Sequence, residues 1–211
     1  MKKFFVTARN FSMDNSIRNQ TDVICTLIKV TQYLSAFPYG DISCKPDEAH
    51  IIIWVDKMSR LFLKQGQKIH CLNYPFDIRD QGEVLQFFCL KKKLDSISMN
   101  VILSMLSNFD SIQKSIDSML DCFVETMNDF SVKLDSDMQF YWNLMIHLLT
   151  MESGYLRYDH DEYNNAPLHP IDHIDFFYSS RNTFKIGLKK TFTWQDVKEI
   201  VDTRDICHYL L

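Results

Sequence analysis

Ile51-Ile52-Ile53-Trp54-Val55 and Lys68-Ile69-His70-Cys71-Leu72 are two short runs dominated by β-branched and other apolar residues, and 83–90 is a third. Asn73-Tyr74-Pro75 and Asp80-Gln81-Gly82 separate them with turn formers. Such runs suit a pleated, half-buried surface. Connections this short join antiparallel strands, because a parallel pair needs a crossover of about a dozen residues. The segment from Lys57 to Lys64 reads equally well as helix or strand. Three more strands are expected in the last third, at Tyr155 to Asp159, Asp172 to Ser179 and Thr183 to Leu188.

Around these strands the apolar period changes to that of helices. Ile17, Ile24, Leu27, Ile28 and Leu34 predict a helix from Ser16 to Leu34, with Asn15 or Ser16 as cap and Phe37-Pro38-Tyr39-Gly40 as its end. A helical segment follows over about 96–150. Its clearest part runs from Asp110 to Phe130, where Ile112, Ile116, Met119, Leu120, Phe123, Met127 and Phe130 step by three and four. Thr193-x-x-Asp196 resembles a capping box and opens a C-terminal helix with Trp194, Val197, Ile200 and Val201 on its apolar face. The sum is one α+β domain over 1–211: an antiparallel sheet flanked by an N-terminal helix, a central helical segment inserted between strand regions, and a C-terminal helix.

Composition narrows the function classes. Five glycines, with no G-x-G-x-x-G and no G-x-x-x-x-G-K-[ST], exclude the common nucleotide-binding loops. A net charge of −4 supplies no overall basic surplus for nucleic acid, so any such contact is local. The short runs Lys91-Lys92-Lys93 and Lys189-Lys190 read first as solvated turns. Cys25, Cys44, Cys71, Cys89, Cys122 and Cys207 form no C-x-x-C pair, and most lie in apolar surroundings, as in Phe87-Phe88-Cys89-Leu90. They read as reduced, structural thiols of a cytoplasmic protein. No apolar run approaches the ~20 residues of a membrane span, and none has the form of a signal peptide.

One region breaks the plain pattern: Arg157-Tyr158-Asp159-His160-Asp161, a polar loop, then His169-Pro170-Ile171-Asp172-His173-Ile174-Asp175. In a strand, residues two apart share a face. Arg157 and Asp159 therefore project together and Tyr158 away from them; His173 and Asp175 also share a face. If the strands form a hairpin, the polar faces converge. His169, four residues before His173, falls on the same side in a helical turn or an extended chain. His160 has the opposite parity, and Asp161 and Glu162 read as loop charges. His50, His70, His147 and His208 stand alone.

Three chemistries fit such a cluster. Two imidazoles with Arg and Asp can cleave a phosphodiester by acid–base catalysis without metal, and RNA brings its own nucleophile in the 2′-hydroxyl. Alternatively, His169, His173 and an Asp can hold a divalent metal that activates water. The third option is a structural ion-pair network, in which Arg157 pairs with Asp159 or Asp175.

Tyr155-Leu156-Arg157-Tyr158-Asp159 with His169-Pro170-Ile171-Asp172-His173-Ile174 resembles a bacterial family that carries Arg-aromatic-Asp, a short acidic loop and His-Pro-x-x-His at the start of a strand. More loosely, it is similar to small toxins of toxin–antitoxin systems, which are suspected of attacking RNA. The resemblance implies a toxin or anti-phage effector, with an antitoxin or defence-system protein as partner. Arg157, Asp159, His169 and His173 match the motif, and Arg181 matches a basic residue after the second His. The expectation is a ribonuclease with His169 and His173 as acid and base, Arg157 on phosphate and Asp159 orienting. Arg181, Tyr158 and Asp175 are the candidates for substrate contact. No cofactor is expected, with a divalent metal as the variant case. A non-catalytic interaction component of a toxin–antitoxin or anti-phage complex is the alternative.

Overall fold

The computed structural model describes residues 2–7, 11, 16–36, 50–82, 84–111, 115–132, 136–164, 166–179 and 181–205. Cys44, Cys207, His208, Asn15, Ile112, Lys114 and the 37–40 turn lie outside them. The protein is α+β: the described residues form five helices, one large antiparallel sheet and one small one. No helix among the described residues is long and apolar enough to cross a membrane.

The chain divides into two compact units, where the sequence suggests one domain with an insertion at about 96–150. The first unit comprises residues 1–14, 42–74 and 153–211, and the second 15–41 and 75–152. The second unit thus starts well before the expected insertion and includes the N-terminal helix.

In the first unit a seven-stranded sheet has the order β1 (Lys2–Val6), β2 (Ile51–Val55), β3 (Ser59–Gln65), β4 (Lys68–Asn73), β8 (Leu156–His160), β9 (Asp172–Phe176) and β10 (Phe184–Gly187), every pair antiparallel. The ambiguous Lys57–Lys64 stretch resolves as β3, because its Leu61, Phe62 and Leu63 complete the ladder between β2 and β4. Helix α5 (Trp194–Val201) lies on one face, capped as expected by Thr193 and Asp196. Its Trp194 and Val197 pack with Ile52, Trp54, Phe62, Ile69, Cys71, Leu156, Tyr158 and Ile174. The Trp194 ring centroid stands 5.7 Å from Phe5, 6.0 Å from Phe62 and 6.1 Å from Trp54. On the other face Ile51, Ile53, Leu61, Leu63 and Leu72 are buried, and the polar cluster continues from them toward β10.

In the second unit α1 (Gln20–Ala36), α2 (Ser96–Ser111), α3 (Ile116–Asp129) and α4 (Ser136–Thr150) accompany a meander of β5 (Asp77–Asp80), β6 (Leu85–Cys89) and β7 (Lys92–Leu94). Helix α1 starts later than predicted, at Gln20: Asn19 Oδ1 accepts from the Asp22 N–H at 2.8 Å. The helix expected over Asp110–Phe130 is two helices, because Ser115 adopts an extended backbone and forms a capping box with Ser118. Leu120 stands exposed while Phe123 and Met127 are buried, so the inward face of α3 is rotated from the one its spacing suggested. Cys71, Cys89 and Cys122 are buried free thiols and Cys25 is half-buried; burial pushes Cys71 up to about 12 and Cys89 to about 11.

Gly154, just before β8, has φ +55°. Its carbonyl accepts from Arg60 Nη1 at 2.7 Å, and a Cβ there would meet Arg60 Nη1 and lie 2.7 Å from Asn73 Cγ. We therefore expect Gly154→Ala to destabilise the protein by about 2 kcal/mol or more, from left-handed strain and the collision together. Urea titration of both proteins checks this; equal midpoints would contradict it.

Candidate functional site

Register alone brings the cluster together. His70 on β4 pairs with Arg157 on β8, Arg157 with Asp175 on β9, and Asp175 with Lys185 on β10. One step along, Lys68, Asp159, His173 and Gly187 form a parallel row. Because registered partners share a face, both rows line the side of the sheet opposite α5.

Arg157 is the hub. Its Nε donates to Asp159 Oδ1 and Oδ2 at 3.0 and 3.1 Å, and its Nη2 to Asp159 Oδ2 at 2.7 Å. Nη2 also donates to Asp175 Oδ2, and Nη1 reaches the Tyr155 hydroxyl at 3.4 Å. Burial opposes the guanidinium charge, but Tyr155, Asp159 and Asp175 outweigh it and hold Arg157 above its ordinary range. Lys185 Nζ lies 3.5 Å from Asp175 Oδ1. Two carboxylates face two cations, so the cluster is close to neutral.

His173 is fully buried. Its Nδ1 is 2.8 Å from the Pro170 carbonyl, which can only accept, so Nδ1 carries the proton. Nε2 is then the lone-pair nitrogen, and the Lys185 ammonium donates to it at 3.1 Å. Burial first, then Lys185, depresses the His173 pKa against the opposing carbonyl and carboxylates. The imidazole is therefore a neutral acceptor at pH 7. His169 packs edge-on against it, with ring centroids 4.5 Å apart. A tight turn holds His169 there: Ala166 and His169 exchange both backbone hydrogen bonds, at 3.0 and 2.8 Å. His169 is half-buried, and its Nδ1 is enclosed without a hydrogen-bond partner.

The four motif residues Arg157, Asp159, His169 and His173 thus meet, and Asp175 joins them. Tyr158 does not. By parity it lies on the α5 face, where it stacks on Phe192 and donates to Asp172 Oδ1 at 2.5 Å. Contact between Tyr158 and a substrate at the cluster is blocked by the sheet itself. His160, on the same side as Tyr158, hydrogen-bonds Asp172 at 2.8 Å and Glu162 at 3.1 Å, and those carboxylates raise its pKa. Arg181 is exposed in the β9–β10 turn. Two members escaped the sequence reading. Lys185 shares parity with Gly187 in a strand whose partner only register identifies. His70 was one of the isolated histidines, yet it is 4% exposed and directly opposite Arg157.

No family model, curated protein or solved structure matches the chain. The site is therefore read from its own chemistry. Asp159, His173 and Asp175 offer ligand atoms within 4.8 Å of one another, the only group of at least three His, Cys, Asp or Glu among the described residues that could hold a metal. This differs from the metal set suggested by the sequence, which used His169. Lys185 and Arg157 already supply the positive charge between these donors.

His70 makes the site pH-sensitive. Burial and then Arg157 lower its pKa from 6.5 to about 4. The folded state resists the proton that the unfolded chain accepts, so this contribution is intact above pH 6.5 and is lost as pH falls toward 4. Between pH 7 and pH 5 the loss is about 2 kcal/mol for this group. His160, with a raised pKa, works in the opposite sense, so the readout is a difference. His70→Gln should flatten the pH dependence of urea stability relative to wild type over this interval; parallel profiles would count against the assignment.

Proposed function

We propose that the protein is a metal-independent ribonuclease of the toxin or anti-phage effector kind, acting in the cytoplasm. One observation carries this reading: two imidazoles 4.5 Å apart stand beside an arginine and an aspartate aligned across β8 and β9. The resting tautomer of His173 assigns it the base, because Nε2 has no proton of its own. It would take the proton of an RNA 2′-hydroxyl attacking the adjacent phosphorus. His169, in its charged form, would return a proton to the departing 5′-oxygen, leaving a 2′,3′-cyclic phosphate. Nε2 faces the Lys185 ammonium, so substrate entry requires Lys185 to swing aside toward the phosphate. Its side chain is 31% exposed. Arg157 would share the phosphate, and Asp159 and Asp175 would orient Arg157.

A second reading rests on a specific observation. His173 has no exposed surface, and Arg157 is closed between two carboxylates. Those features suit a structural network in a non-catalytic component that binds an antitoxin or a defence-system protein.

Incubating purified protein with a single-stranded RNA in excess chelator separates the two. The ribonuclease reading expects cleavage to cyclic-phosphate ends, lowered about 100-fold or more in His169→Ala and His173→Ala. It also expects expression of the wild type, but not of these variants, to arrest cell growth. Cleavage and toxicity unchanged in a folded His173→Ala protein would leave the interaction component as the answer.

A further inference from the structure

We propose that the β9–β10 hairpin is a stacking platform for single-stranded RNA. The choice of ligand rests on the ribonuclease reading, whereas the surface stands on its own observations. Phe177 and Phe184 are 55% and 51% exposed. Their ring centroids lie 6.2 Å apart, and Phe184 stacks on Phe176 at 4.8 Å with planes 10° apart. Phe176 in turn packs against the sheet core, so the outer rings rest on a firm base.

Phe177 carries two costs at once. It exposes a large apolar ring, and its φ of +66° lies in the left-handed region that bulky side chains avoid. Folding gains from neither, and glycine or asparagine would hold the same turn with less strain. A ligand that stacks on the ring accounts for keeping phenylalanine there.

The surrounding charge selects the ligand. Although the chain is net negative, residues 176–190 contain Arg181, Lys185, Lys189 and Lys190 and no Asp or Glu. Lys190 is engaged with Asp196, and Lys185 with the cluster. Arg181 and Lys189 stand exposed before and after β10, an edge strand whose first residue is Phe184. Exposed rings bracketed by cations match single-stranded nucleic acid, whose bases stack without sequence preference while phosphates meet the cations. A duplex hides its base faces. An acidic peptide would use the cations but not the rings. Phe176 and Phe184 are registered partners on the α5 face and Lys185 lies on the face of the cluster, so a strand stacked on the rings reaches His173 only by crossing the β10 edge.

The test is fluorescence anisotropy with a labelled oligouridylate, in the presence of chelator, against the 211-residue chain. Phe177→Gly should weaken binding about tenfold, the loss of one stacked base, while leaving urea stability equal to or above wild type. A merely structural Phe177 would show the reverse pattern. Arg181→Glu with Lys189→Glu should weaken binding and flatten its dependence on salt. Absence of oligouridylate binding, or binding unaltered in both variants, overturns the platform. Equal binding of duplex RNA overturns it too, as does equal competition by polyglutamate, which would point to an acidic protein partner. Binding that depends on Phe177 without cleavage leaves the platform standing and removes the ribonuclease; cleavage with binding insensitive to both variants does the opposite.

Discussion

The guanidinium of Arg157, held between the carboxylates of Asp159 and Asp175, is the constraint on which the β8–β10 end of the sheet depends. Both acids are about 7% exposed at their side chains and Arg157 about 21%. Removing Arg157 would leave two buried carboxylates without their main partner, and burying an unpaired carboxylate costs several kcal/mol, on the order of the stability of a whole domain. The pairing also ties two strands together through their side chains as well as their backbones. Arg157 and Asp175 are registered partners across β8 and β9, so any slip by one residue would turn Asp175 to the α5 face and leave Arg157 opposite an apolar side chain. Charge pairing here enforces register.

Strand β8 serves two environments by alternation. Leu156 and Tyr158 face α5 and complete an aromatic core around Trp194. Arg157 and Asp159 face the polar cluster. The two histidines nearest this strand consequently end in opposite states. His173, sealed and opposite a lysine, is kept neutral; His160, with Asp172 and Glu162 accepting from its two ring nitrogens, is drawn toward the charged form. Each lies 12 residues from its lysine or aspartate partner, so burial and the sign of the neighbouring charge decide the outcome.

Much of the architecture was legible in the chain because it is local. Apolar runs between turn formers located β2, β4 and β6, and the Thr193-x-x-Asp196 spacing located the start of α5. The convergence of Arg157, Asp159 and His173 followed from parity once β8 and β9 paired as a hairpin. What stayed hidden was non-local. His70 sits 87 residues before Arg157 and meets it only because β4 and β8 pair although residues 75–152 intervene in the chain. Lys185 belongs to no motif, and only the β9–β10 register places it beside His173 Nε2. The break at Ser115 escaped because the apolar period continues on both sides of it, and a cap decided by two serines outweighs that period.

By itself, then, the sequence determined the α+β class, most element positions and the membership of the motif cluster, since alternation, turns and caps act over a few residues. Only the tertiary structure decided which histidine is sealed, which nitrogen holds the proton and which cation faces it. Those outcomes depend on strand order and burial, quantities set by residues distant in the chain that no local pattern records.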